Sequence, residues 1–131
     1  MNKYAHINTE NLPIVEVVFT GEQATDENFP MYMQEVKDVY EKQNKVVLIF
    51  DASNAVFPAI KYQKAQADWL KENEKLMKDY CLGTAYIIPN LIIRNVLKAI
   101  FTFQKQPVDY LVCKNIDDAT NWVNDKIKTN I

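Results

Sequence analysis

Glycine is nearly missing from this chain, at two of 131 residues. A phosphate-cradling loop needs several glycines to turn tightly and bring backbone N–H groups against the anion, so neither a dinucleotide fingerprint nor a P-loop can be assembled here. Histidine occurs once, as His6, outside any cluster of cysteines or carboxylates at metal-ligand spacing. There is no excess of positive charge: 15 Lys and Arg stand against 17 Asp and Glu, giving a formal net charge of −2. With its lysines scattered among acidic residues, the chain offers no basic stripe to nucleic acid.

Long apolar runs are also lacking. None approaches the ~18 residues of a membrane span, and the segment from Met1 to Ile7 has neither the apolar core nor the small-residue cleavage site of a secretion signal. The expectation is a cytoplasmic protein without integral membrane insertion. The two cysteines, Cys81 and Cys113, each lie in an apolar strand-like run. They are expected to be reduced, buried packing residues rather than a disulfide or a reactive pair.

What remains is an ordinary globular composition, 48% hydrophobic and 24% charged, at a length that suits one domain over residues 1–131. No repeat, low-complexity segment or linker interrupts it, and its apolar periodicity alternates between two kinds of element. A short edge strand over residues 3–8 is followed by a hairpin turn at Asn8-Thr9-Glu10-Asn11 and a stronger strand, Ile14 to Thr20, stopped by Gly21. Thr25 or Asn28 can cap a helix that carries Met33, Val36, Val39 and Tyr40 on one face. Lys45 to Asp51 is apolar without alternation, as a central strand covered on both faces would be.

A single long helix is indicated from Pro58 to about Tyr80, with Tyr62, Ala65, Trp69, Leu76 and Tyr80 inward and a solvated lysine and glutamate face outward. The strand Cys81 to Ile88 ends at Pro89, and Asn90 can cap a helix from Leu91 to about Gln104. Pro107 precedes a strand from Val108 to Cys113, and Asn115 or Asp117 caps a last helix bearing Ala119, Trp122, Val123 and Ile127 on its apolar side. The order ββαβαβαβα favours parallel pairing by right-handed crossovers, with an antiparallel hairpin at the amino end. In such sheets ligands gather beyond the carboxyl ends of the parallel strands, where Asp51 and the loop after it fall.

This order, together with Leu48-Ile49-Phe50-Asp51-Ala52, Arg94-Asn95-Val96-Leu97-Lys98-Ala99-Ile100 and Asp118-Ala119-Thr120-Asn121-Trp122, resembles the STAS domains, named for sulfate transporters and anti-sigma-factor antagonists. More narrowly it resembles their stand-alone SpoIIAA-like branch, over nearly the whole chain. The resemblance implies an α/β sandwich with a mixed sheet of about five strands flanked by about four helices. That branch is similar in architecture to the CRAL-TRIO lipid-transfer fold, which implies room for an apolar ligand. Better-known STAS relatives bind protein partners and are switched by phosphorylation of a serine after the third strand, within an Asp-Ser-Ser/Thr-Gly setting. The matching segment here, Ser53-Asn54-Ala55-Val56-Phe57-Pro58-Ala59-Ile60, has one hydroxyl and no glycine. Ser53 is therefore not carried over as a phosphosite, and the apolar lip in its place points to a hydrophobic ligand or partner.

Catalysis has little to build on. Asp51 lacks a second carboxylate, His or Lys at a known spacing, and its simplest role is to accept backbone N–H bonds from its own loop. Ser53, His6 and Asp51 could formally make a triad, but Ser53 has no nucleophile-elbow glycines. No enzyme activity, cofactor or metal is expected. The helix from Leu91 is apolar around most of its circumference, so one face must cover something besides the sheet. A homodimer interface, a pocket shared with the lip, and a membrane surface compete for it. Arg94 in that helix is open to three readings: holding an anionic ligand head, pairing with Asp51, or snorkelling to solvent.

The expected function is a non-enzymatic, STAS-like regulatory or protein-interaction module, homodimeric or bound to another protein. The alternative is a carrier or sensor of a small apolar or lipid-like ligand held between residues 56–60 and the 91–103 helix. Asp51, Ser53, Asn54, Phe57, Ile60, Asn90, Arg94, Leu97 and Phe101 are the expected ligand- or partner-binding residues. A concavity between lip and helix favours the carrier; a flat patch favours the interaction module.

Overall fold

The computed structural model describes residues 2–130; Met1 and Ile131, the two ends of the expected domain, lie outside the described residues. The elements are β1 (Ala5–Asn11), β2 (Ile14–Phe19), α1 (Asn28–Glu41), β3 (Val46–Asp51), α2 (Ile60–Glu72), α3 (Glu74–Tyr80), β4 (Cys81–Ile87), α4 (Leu91–Phe103), β5 (Tyr110–Cys113) and α5 (Ile116–Thr129). The five strands form one sheet in sequence order, β1 antiparallel to β2 and the others parallel. The chain is thus an α/β fold with a mixed five-stranded sheet, and β3 lies at its centre.

Successive parallel strands are added at the same edge, so right-handed crossovers place every connecting helix on one face of the sheet. The two cores follow that rule. Val46, Leu48 and Phe50 of β3 join Val36 and Tyr40 of α1, Trp69 and Leu70 of α2, Met77 of α3, and Val96 and Ile100 of α4. The alternate residues Val47 and Ile49 face the other way, against Ala119 and Val123 of α5. Four helices cover one face and a single helix the other. Cys81 belongs to the first core and Cys113 to the second, both as free, buried thiols with the sheet between them.

Both glycines have work that a larger residue would obstruct. A Cβ at Gly83 of β4 would lie 2.7 Å from Cη2 of Trp122, so the missing side chain is what lets α5 approach the sheet. Gly21 has φ +91°, the left-handed region, at the end of the first hairpin.

Three boundaries differ from the sequence expectation. The hairpin reverses at Leu12-Pro13, and Asn8 to Asn11 belong to β1 instead of the turn. An edge strand with one face toward solvent tolerates those polar residues. The expected helix from Pro58 to Tyr80 begins at Ile60 and is divided at Asn73, giving five helices in place of four. At the division buried Asn73 leaves the helical region, with φ −108° and ψ 17°, and the Trp69 carbonyl accepts both its N–H and its Nδ2, each at 2.9 Å. The last strand pairs only from Tyr110.

Asn90 and Asn115 cap α4 and α5 as expected, whereas the N-cap position of α1 is Glu27, without a side-chain cap bond, and Thr25 and Asn28 bond each other around it instead. Thr25 Oγ1 accepts from the Asn28 N–H at 3.0 Å while Asn28 Oδ1 accepts from the Thr25 N–H at 2.7 Å. Asn90 Oδ1 takes the Ile92 N–H at 2.8 Å, and Asn115 Oδ1 takes that of Asp118 at 2.9 Å. Among the described residues, no helix is long and apolar enough to cross a membrane.

Candidate functional site, an aromatic cavity under the β3 to α2 loop

The helix-covered face is crowded with rings. Tyr4 meets Phe29 with centroids 5.2 Å apart, Phe29 meets Tyr62 at 5.2 Å, and Phe50 stacks on Tyr86 at 5.0 Å. Rigid rings meeting edge to face fill space imperfectly, and the small side chains of Ala52 and Ala55 above them leave a gap. The result is a cavity of about 110 Å³ among α1, α2, α4 and the sheet. It is of the same order as the ~150 Å³ apolar cavity that admits benzene. Its roof is Ala55, Val56 and Pro58, and Ile93, Val96, Leu97, Ile100 and Phe101 of α4 form one wall.

The roof is tied down from several sides. Gln63 Nε2 on α2 donates to the Pro58 carbonyl at 3.0 Å, and Asp51 Oδ1 accepts the Ser53 N–H at 3.0 Å. A Cβ at Gly21 would stand 3.3 Å from the Asn54 carbonyl oxygen, so the loop after β2 packs closely on the one after β3. Tyr62 donates its hydroxyl to Asp26 at 2.8 Å, and Lys61 pairs with the same carboxylate at 3.1 Å.

No Asp, Glu, Lys, Arg or His is among the lining residues. The ionisable groups on the wall are phenols; burial holds four of them neutral, and the fifth, Tyr62, is raised chiefly by its hydrogen bond to Asp26. Tyr32, Tyr40 and Tyr86 lie well above the ordinary tyrosine range, and Tyr4 is pushed up to about 12. At the floor, Gln106 Nε2 donates to the hydroxyls of Thr84 at 2.9 Å and Tyr86 at 2.7 Å. The Tyr40 hydroxyl is buried beside the Cys81 thiol, a weak partner, and makes no hydrogen bond of ordinary geometry.

The residues expected from sequence divide into two groups. Leu97 and Phe101 line the cavity together with the lip residues Val56 and Pro58. Phe57 and Ile60 are 54% and 63% exposed and point outward, as do Leu91 and Ile92 at the start of α4. Ser53 and Asn54 are exposed on the loop, and Asn90 caps α4. Half-buried Asp51 organises its own turn. Arg94 neither pairs with Asp51 nor enters the cavity: its Nε donates to the Ile88 carbonyl at 2.7 Å, fastening α4 to the end of β4.

No family model, curated protein or solved structure matches this chain. What it holds is therefore argued from the cavity itself.

Sequence reasoning passed over Tyr4, Phe29, Tyr32, Phe50 and Tyr86, which make up much of the wall. Tyr40 and Trp69 were expected on inward faces, as core. The available signal was their number, since rings on three helices and three strands cannot all interdigitate. Their periodicity is that of ordinary packing. Among the described residues, no group of three or more His, Cys, Asp or Glu is placed to hold a metal.

Proposed function

We propose that this chain is a non-enzymatic, STAS-like domain that carries or senses a small neutral apolar molecule in the aromatic cavity. The observation that carries this reading is the concavity itself. Ala55, Val56 and Pro58 of the roof and the face of α4 from Ile93 to Phe101 border one partly open apolar space. A volume near 110 Å³ suits a single ring with a small substituent or a short chain, not a two-chain lipid. Neutral phenols on the wall are poor acids and bases near pH 7, which supports binding over catalysis. Two unpaired buried thiols suit a reducing compartment such as the cytoplasm.

A second reading rests on the outer rim. Phe57, Ile60, Leu91 and Ile92 are all exposed, at helix starts that follow the adjacent strands β3 and β4. Such a patch supports docking of a second copy or another protein. The two readings combine if a bound ligand adjusts the roof beneath that rim.

Native mass spectrometry of protein purified from cells, followed by thermal-shift titration with α-methylstyrene, tests the proposal. The expected outcome is a small adduct or a rise in melting temperature with the probe, lost in folded Leu97→Trp, which fills the cavity. A clean dimer mass without adduct, and no response to the probe, overturns the ligand reading in favour of the interaction module. Ser53→Ala is expected to leave probe binding and self-association unchanged; a large loss of partner binding would restore a phosphoswitch.

A further inference from the structure

We propose that the Tyr32 hydroxyl is the polar anchor of the cavity, and that the molecule it holds is a small aryl or alicyclic ketone or aldehyde whose carbonyl oxygen accepts the phenolic proton. This rests on the cavity reading and names the ligand class. Tyr32 of α1 lines the cavity and is 6% exposed, with its ring 5.3 Å from that of Tyr4 and 5.6 Å from that of Phe19. Its phenol is in electrostatic reach of both Tyr4, just before β1, and Tyr86 on β4, which places it between them over the middle of the sheet. Among the described residues it has no hydrogen-bond partner. Two other unpaired polar atoms, the Tyr40 hydroxyl and Gln106 Oε1, are closed to a molecule the size of water. The Tyr32 hydroxyl is not closed in that way, and at its depth the space it opens on is the cavity.

The other hydroxyls of the wall are accounted for. Tyr62 donates to Asp26, Thr84 and Tyr86 accept from the Gln106 amide, and Tyr40 has the Cys81 thiol beside it. Tyr4 stands before the edge strand and is desolvated less than Tyr32. Buried polar groups in folded proteins are almost always paired, so an unpaired donor open to a cavity calls for a partner inside it. An ionised head would enter a space holding no counter-charge, whereas a carbonyl is neutral and accepts the proton. The apolar body then lies against Phe50, Leu97 and Phe101.

The test is a matched pair of probes, acetophenone and α-methylstyrene, nearly equal in shape and differing in C=O against C=CH2. In the unmodified chain acetophenone is expected to bind more tightly. Tyr32→Phe is expected to shrink its advantage by about tenfold, the worth of one hydrogen bond to a buried donor. No binding of either probe to the unmodified chain overturns the cavity reading and this assignment with it. α-Methylstyrene binding as tightly as acetophenone overturns the assignment alone and leaves water as the hydroxyl's partner. A preference that persists unchanged in Tyr32→Phe overturns it too, by giving the carbonyl to another donor. The carbonyl stretch of acetophenone bound to the unmodified chain needs no substitution: a frequency below that in hexane is expected, and a hexane-like one overturns the assignment.

Discussion

The side-chain amide of Gln63 donates from Nε2 to the carbonyl of Pro58 at 3.0 Å, and this one bond joins helix α2 to the roof of the aromatic cavity. Both residues are buried, so the carbonyl has little recourse to water if the donor is removed. Gln63→Leu is expected to cost about 1–3 kcal/mol, the penalty of leaving a buried acceptor unmet. Urea denaturation measures it, and faster exchange of α-methylstyrene by NMR would report the loosened roof. Unchanged stability would mean that the Pro58 carbonyl is satisfied elsewhere.

Tyr40→Phe is expected to behave oppositely. Its buried hydroxyl has the Cys81 thiol beside it and no hydrogen bond of ordinary geometry, so deleting it gives up at most a weak contact to sulfur and relieves a desolvated group. The urea midpoint of the ligand-free protein is expected to hold or rise, by up to about 1 kcal/mol of stability. A clear fall would assign the hydroxyl a structural partner.

Gly83→Ala puts a methyl where Cη2 of Trp122 comes within 2.7 Å and the Asp109 carbonyl within 3.1 Å. The expected cost is about 1–3 kcal/mol, as for other overpacked sites. Trp122→Phe in the same chain removes the clashing ring atoms, so the double variant is expected to be more stable than the sum of the two single changes predicts. Strict additivity in urea denaturation would show that α5 can shift without penalty.

Alkaline pH provides a fourth check. Burial raises the Cys81 thiol from its ordinary 9.0 to about 11, and Tyr4 from 10.0 to about 12. In both cases the folded state holds a proton that the unfolded chain gives up first, so the unfolded state binds fewer protons between the two values. Stability from these groups is complete below about pH 9 and declines as pH rises toward about 11 and 12. Urea midpoints at pH 7.5, 9.5 and 10.5 are expected to fall in that order, and Cys81→Ala is expected to flatten the first part of the decline. A midpoint independent of pH over this range would show that the two groups are not buried in solution.

Much of the scaffold was legible because it is written in local signals. β3 shows itself as Val46 to Phe50, a β-branched and apolar run that only a central strand can bury on both faces, and it lies mid-sheet. Asn90 and Asn115 announce their helices by standing one residue before them with a side chain short enough to reach back to the backbone. The turn at Leu12-Pro13 and the break at Asn73 were missed because each depends on what surrounds it. Edge position excuses the polar end of β1, and α2 ends at a buried Asn73 whose backbone leaves the helical region with no glycine or proline to announce it.

By itself the sequence determined the class of elements, most of their order, the burial of the two cysteines and the absence of glycine loops for phosphates, since periodicity, capping and composition act over a few residues. Only the tertiary structure decided that four helices share one face, that Arg94 serves the Ile88 carbonyl instead of a ligand, and that the inward rings leave an apolar cavity between them. An inward-facing tyrosine has the same sequence signature whether its neighbours close around it or leave a gap. The difference lies in how rings from seven separate segments meet.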